Sequence, residues 1–120
     1  MVKRTGPQTL ELKELINDLK ELGGKKDINL WKRVAKDLER STRIRRKANL
    51  YKIDKNTRDN EIALVPGKVL SMGDLTKKIT VAAYQFSESA EEKINKVGKA
   101  ISIRELMKEN PKGKRIRIIG

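Results

Sequence analysis

The sequence predicts a small mixed α/β domain, and three patterns lead to that prediction. Leucine and isoleucine recur at three- and four-residue steps near the N terminus, which is typical of one face of a helix. Short apolar runs follow and favour strands. Two Ser-x-x-Glu sequences then indicate helix starts between those strands. A length of 120 residues fits one domain.

An N-terminal helix pair is predicted first. The first helix covers 8–22 and is expected to end at Gly23-Gly24. The second covers 30–40, with Asn29 as its cap and Trp31 as a core anchor. The apolar face of the first helix consists of Leu12, Leu15, Ile16, Leu19 and Leu22.

Strands are predicted in the middle of the chain. A short extended piece is expected over 49–53, and 61–65 is a strand candidate. Pro66-Gly67 suits the central positions of a type II turn, so 68–70 is expected to return as a partner strand. The range 78–86 is apolar on both faces, which indicates a central strand.

The C-terminal third alternates helices and strands. Ser89-Ala-Glu-Glu92 reads as a capping box that opens a helix ending at Gly98. Ser102-Ile-Arg-Glu105 repeats the pattern, and Pro111 ends that helix. The range 115–119 alternates basic with apolar residues, which predicts a half-buried edge strand.

The charge of the chain predicts a polyanionic partner. Lysine and arginine number 29 against 16 acidic residues, a net charge of +13. The excess concentrates in two runs that contain no acid, at 40–53 and 112–117. Such runs repel themselves in the isolated protein and become favourable when phosphates replace the missing carboxylates.

The composition argues against several other classes of function. Cysteine and histidine are absent, which removes thiol chemistry, the commonest general base and the commonest metal ligands. No catalytic residue, metal site, cofactor or small-molecule substrate is therefore predicted. No apolar run approaches the ~20 residues of a membrane span, so an intracellular protein without a membrane partner is expected.

Folded RNA is the favoured polyanion. Aromatic residues make up only 3% of the chain, too few for a platform that stacks single-stranded bases. A helix-turn-helix or chromatin protein that binds DNA is the first alternative, although the loop between the first two predicted helices is longer than the usual tight turn. A protein-binding module with a basic face is the second alternative.

Four segments resemble a known family. ANLYKID (48–54), VPGKVLSMGDL (65–75), ITVAAYQFSESAEEKINKVG (79–98) and NPKGKRIRIIG (110–120) are similar to the large-subunit ribosomal protein eighteen family of archaea and eukaryotes, which is related to bacterial ribosomal protein fifteen. The family often has glycine where this chain has Ser71. The resemblance implies a fold of irregular strand-strand-helix units that follows the helix pair.

The resemblance also implies a structural role in the large ribosomal subunit. The implied partners are large-subunit ribosomal RNA and neighbouring large-subunit proteins, in the cytoplasm and without homo-oligomers. A basic arm at 1–7 and one RNA-binding domain at 8–120 are expected. The predicted RNA-binding residues are Lys3, Arg4, Arg40, Arg43, Arg45, Arg46, Lys47, Asn49, Lys52, Lys55, Arg58, Lys68, Lys112, Lys114, Arg115 and Arg117.

Overall fold

The computed structural model describes residues 10–26, 28–39, 46–58 and 61–119. The predicted arm at 1–7 lies outside these residues. Five helices and five strands occupy the described ranges, so the prediction of a mixed α/β domain that begins with a helix pair is confirmed. The elements are α1 (Leu10–Lys26), α2 (Asn29–Leu38), β1 (Arg46–Asn49), α3 (Leu50–Asn56), β2 (Ile62–Leu70), β3 (Thr80–Phe86), α4 (Glu88–Val97), β4 (Lys99–Ser102), α5 (Ile103–Glu109) and β5 (Ile116–Ile118).

The strands form one parallel sheet in which β2 has a central place. The order is β1-β2-β3-β4, and β5 also pairs with β2. Strand β3 follows one edge of β2 along both of its halves. Strands β1 and β5 therefore share the other edge, with β5 beside Ile62–Leu64 and β1 beside Gly67–Leu70. Two segments that are far apart in the sequence thus lie end to end along β2.

Two apolar cores cover the two faces of the sheet. On one face, α1, α2 and α5 pack over Leu64, Ala82 and Ile101. On the other face, α3 and α4 pack over residues that include Val65 and Val81. Both faces of the central strands are buried, which is why their sequences are apolar without alternation. The prediction that 78–86 forms a central strand is confirmed, since β3 lies between β2 and β4.

Trp31 is a core residue, as predicted. Its side chain is fully buried where α1 and α2 meet. The indole Nε1 donates a hydrogen bond of 2.8 Å to the carbonyl oxygen of Pro111. A buried indole N–H needs such an acceptor. Trp31 therefore fastens α2 to the turn that precedes β5.

The first helix is longer than the sequence suggested. The prediction that Gly23-Gly24 ends it is wrong, because α1 continues to Lys26. The carbonyl of Gly23 accepts the N–H of Ile28 at 2.9 Å, which closes the last turn. The connection to α2 is consequently short, so the expected long loop between the two helices is also wrong. Asn29 is the first residue of α2 rather than its cap, and no side-chain cap bond forms there.

The predicted turn at Pro66-Gly67 is wrong, because β2 runs through both residues. The pairing with β3 shifts between Val65 and Lys68, which marks a bulge. A bulge accommodates a proline that has no N–H to donate to the ladder. Strand β2 therefore stays in one sheet along its whole length and does not fold back as a hairpin.

Two further local predictions are wrong and two are confirmed. The expected extended piece at 49–53 is mostly helix α3, since β1 ends at Asn49. The cap of α4 is Ser87 rather than Ser89, and its side chain accepts the N–H of Ala90 at 3.2 Å. The capping box of Ser102 and Glu105 is present at the start of α5. The C-terminal edge strand is present as β5, with Ile116 and Ile118 half-buried.

Candidate nucleic-acid interface

Strand pairing brings two predicted binding residues together. Lys47 of β1 and Lys68 of β2 are direct partners in the parallel register. Neighbouring strands lie about 4.8 Å apart, so the two lysines project from adjacent backbone positions. Both side chains are exposed, and neither has a carboxylate partner among the described residues. Two like charges at this spacing repel each other, and an anion between them would remove that repulsion.

Helix α3 extends this positive region. Lys52 and Lys55 are three residues apart on α3, so they lie on the same side of the helix. Arg58 is exposed just after the helix. We define the strand-end surface as Lys47, Lys52, Lys55, Arg58 and Lys68.

Asn49 has a structural role that the sequence did not indicate. Its side-chain oxygen accepts the backbone N–H of Met72 at 3.3 Å. The bond ties the end of β1 to the segment that follows β2. The contact of Asn49 with nucleic acid stays a prediction.

The C-terminal basic run is held in a fixed turn. The Asn110 side-chain amide donates to the Lys114 carbonyl at 2.8 Å, and its oxygen accepts the Lys114 N–H at 3.2 Å. Arg115 has a positive φ of 58°, the only such value for a non-glycine residue in the described ranges. Its carbonyl accepts the N–H of Ile62 at 2.8 Å. Lys112, Lys114 and Arg115 are all exposed on this turn.

Arg117 differs from the other predicted binding residues. The expectation that it has no acidic partner is wrong, because its Nε and one terminal nitrogen donate to the two carboxylate oxygens of Glu61, each at 3.0 Å. The Arg58 backbone N–H donates to the same carboxylate at 2.7 Å. Chiefly the hydrogen bond from Arg117, and then that from Arg58, lower the pKa of Glu61. The same pair raises the pKa of Arg117.

Helix α2 supplies cations that the sequence analysis missed. Lys32, Arg33 and Lys36 are exposed on the side of the helix away from the buried Trp31 and Val34. Their three- and four-residue spacing, opposite the apolar positions, was the signal that could have found them. They lie on a helix, whereas the prediction had concentrated on runs without acids.

A groove joins α2 to the C-terminal strand. It has a volume of about 520 Å³ and is lined by Asn29, Leu30, Arg33, Glu61, Ile116, Arg117 and Ile118. Gly113 also lies against Leu30, so the basic turn adjoins the start of α2. We define the α2–β5 surface as Arg33, Lys36, Lys112, Lys114, Arg115 and Arg117.

Some predicted residues cannot be placed on these surfaces. Lys3, Arg4, Arg40, Arg43 and Arg45 lie outside the described residues, and Arg46 is described by its backbone alone. Within the described ranges, no three acidic side chains gather as metal ligands do. No helix in those ranges has both the length and the apolar character to cross a membrane.

Comparison with known proteins identifies the family. Residues 9–102 match the family that comprises ribosomal proteins 50S-L15 and 50S-L18e together with a related protein of the 60S subunit. The chain belongs to this family. The resemblance found in the sequence is thereby confirmed.

Curated relatives match over almost their whole length. The large ribosomal subunit protein eL18 of Sulfurisphaera tokodaii is 42% identical over 99% of this chain and 98% of its own. The eL18 protein of Methanopyrus kandleri is 43% identical over 96% and 95%. That of Haloarcula marismortui is 39% identical over 98% and 99%. The basic surfaces described above therefore lie within the matched region.

Proposed function

We propose that the protein is a structural component of the large ribosomal subunit, where it binds and stabilises folded large-subunit ribosomal RNA. One observation carries the proposal: basic residues from distant segments converge along one edge of β2. Apart from Arg117, which pairs with Glu61, the cations of the two surfaces pair with no carboxylate among the described residues. The names of the relatives support the ribosomal part of the proposal.

The proposed mechanism is electrostatic. Lysine and arginine side chains neutralise phosphates where RNA segments approach each other, and the folded domain fixes their positions. Arginine suits this task because its planar group can bind two phosphate oxygens. The arm at 1–7 adds Lys3 and Arg4, and the segment 40–45 adds further arginines. Neighbouring large-subunit proteins are the other proposed partners, in the cytoplasmic ribosome, and the proposal involves no catalytic step, no cofactor and no membrane.

A salt titration with large-subunit ribosomal RNA tests the proposal. The logarithm of affinity is expected to fall linearly with the logarithm of salt concentration, by ~0.7–0.9 for each phosphate neutralised. The double variant Lys47→Gln and Lys68→Gln should lower that slope by about 1.4–1.8, because two phosphate contacts are lost. Filter binding or fluorescence anisotropy at several salt concentrations measures the slope.

A control variant separates local contacts from net charge. Lys20 pairs with Glu39 at 2.9 Å and Lys99 pairs with Glu109 at 3.5 Å, and both pairs are surface pairs that contribute little stability. Lys20→Gln with Lys99→Gln removes the same charge away from the two basic surfaces. It should leave the slope close to that of the wild type. Equal slopes for the two double variants, or no salt dependence at all, would contradict the proposal.

Glu61→Gln is expected to strengthen RNA binding. The carboxylate occupies the donors of Arg117, so its removal frees an arginine for phosphate. One added phosphate contact corresponds to roughly five- to eightfold in affinity at 0.1 M salt. Glu109→Gln changes the net charge equally and is expected to have a smaller effect. An unchanged affinity for Glu61→Gln would mean that Arg117 does not reach the RNA.

The same substitution has a pH-dependent effect on stability. Because the pKa of Glu61 is lowered from its ordinary value of 4.5, its pair with Arg117 stabilises the fold above that pH. The advantage of the wild type over Glu61→Gln should therefore be present at pH 7 and disappear as the pH falls through the lowered pKa. Urea unfolding of both proteins at several pH values measures this difference.

A duplex-DNA competitor tests the helix-turn-helix alternative. The short connection between α1 and α2 and the cations on α2 are the features that favour it. Duplex DNA should compete less well than folded ribosomal RNA at equal phosphate concentration. Stronger competition by DNA would reverse the assignment.

A further inference from the structure

Two exposed side chains stand at the same point of the surface, next to the strand-end surface. Tyr51 is 54% exposed and Met72 is 67% exposed. The backbone N–H of Tyr51 donates to the carbonyl of Met72 at 3.1 Å, so both side chains start from adjoining backbone. An aromatic ring and a thioether left in water at one place are unfavourable for an isolated protein.

The position of this pair is fixed by several polar contacts. Lys93 Nζ donates to the carbonyls of Ser71 and Gly73, both at 3.0 Å. Gly73 has a φ of +93°, and a Cβ atom there would lie 2.6 Å from the Cβ of Tyr51. Only glycine permits both this backbone conformation and this close approach. Ser71, where the family often has glycine, needs no positive φ.

A second set of contacts fastens the same segment to α3. The Asp54 carboxylate accepts the Thr76 N–H at 2.8 Å and its hydroxyl at 2.9 Å. Lys77 Nζ donates to the carbonyls of Asp54 and Thr57 at 2.6 and 2.8 Å. The segment 71–77 is therefore held rigidly against the start of α3. Preorganisation of this kind lowers the entropic cost of binding a partner.

The charges around the pair indicate the chemistry of that partner. Lys47 and Lys68 lie two residues before the strand ends, a distance of about 7 Å along the sheet, and Lys52 follows Tyr51 directly. Of the nearby acids, Asp54 is hydrogen-bonded to Thr76, and Asp74 lies 3.8 Å from Lys93. The positive charge that remains fits a partner that is both flat and anionic. A nucleotide has these two properties.

We infer that Tyr51 stacks on one unpaired base of the bound RNA, with Met72 beside it and Lys47 and Lys68 on the adjacent phosphates. A single ring accommodates one extruded base, which agrees with a protein that binds folded RNA rather than single strands. This inference rests on the proposed function and adds a base contact to its phosphate contacts. It assigns to Tyr51 and Met72 a role that charge alone does not supply.

The test compares two substitutions of the same residue in the full chain. Tyr51→Leu removes the ring, and stacking of one base predicts a loss of affinity for large-subunit ribosomal RNA of about 5- to 100-fold. Tyr51→Phe keeps the ring and should bind within about twofold of the wild type. The salt slope should be the same in all three proteins, because no phosphate contact changes. Base-specific chemical probing should show one unpaired base that the wild type protects and Tyr51→Leu does not.

Controls and contrary results keep this inference separate from the proposed function. Leu10→Ser, which removes an exposed apolar side chain elsewhere, should not affect binding. Wild-type affinity of Tyr51→Leu for naked RNA, or equal losses for Tyr51→Leu and Tyr51→Phe, would overturn the base contact alone. Loss of Tyr51→Leu from the ribosomal particle with unchanged binding to naked RNA would assign the pair to a protein partner and also overturn it. Failure of the wild type to bind RNA in a salt-dependent way would overturn both.

Discussion

Replacing Gly98 by alanine is expected to lower the free energy of unfolding by about 3 kcal/mol or more. Gly98 ends α4, and its N–H donates to Ile94 at 2.7 Å. A Cβ atom at Gly98 would lie 2.0 Å from the carbonyl oxygen of Ile79. That oxygen belongs to the backbone and accepts the N–H of Lys99, so it cannot move aside without disturbing the start of β3. Urea unfolding followed by circular dichroism measures the change.

Gly24 provides the matched control for this substitution. It lies inside α1, and a Cβ atom there would have no neighbour within 4 Å. Gly24→Ala is expected to stabilise the protein by about 0.5–1 kcal/mol, since alanine favours a helix over glycine. Equal stability of the two alanine variants would show that α4 and β3 are not as close as described.

Trp31→Ala is expected to cost about 3–5 kcal/mol of unfolding free energy. The side chain is fully buried, so its removal leaves a cavity between α1, α2 and the sheet. It also leaves the Pro111 carbonyl without the indole donor. A domain of this size has a total stability of roughly 5–15 kcal/mol, so a large share would be lost.

Trp31→Phe separates the two contributions. Phenylalanine fills most of the space but cannot donate to Pro111, so a smaller loss is expected, with about 1–3 kcal/mol from the orphaned carbonyl. Unfolding in urea followed by circular dichroism is suitable, because the variants lack the tryptophan that fluorescence would monitor. A loss below about 1 kcal/mol for Trp31→Ala would contradict its place in the core.

Local chemistry explains the features that could be predicted from the sequence. The apolar stripes of α1 and α2, the buried Trp31 and the capping box of Ser102 depend on residues within one or two helical turns. The shift of the α4 cap from Ser89 to Ser87 is a local error of a different kind. Both serines precede a glutamate by a few residues, and the end of β3 at Phe86 decides between them.

Long-range pairing explains the features that could not be predicted. Pro66-Gly67 has the local preference of a turn, but β1 and β3 pair with β2 on both sides of it and keep the strand in the sheet. The same holds for the site. Lys47 and Lys68 were chosen separately, and only the register showed that they are neighbours. The partner of Arg117 was missed because Glu61 is 56 residues away in the chain and is brought close by the β2–β5 pairing.

The position of β5 also determines the order in which the nascent chain can complete its sheet. Parallel partners separated by more than fifty residues close a large loop, and the entropy of that closure opposes the pairing until the contacts form. During synthesis, the edge of β2 at Ile62–Leu64 stays uncovered until residue 118 has emerged. The last strand then covers that edge, places Arg117 beside Glu61 and finishes the groove in a single event.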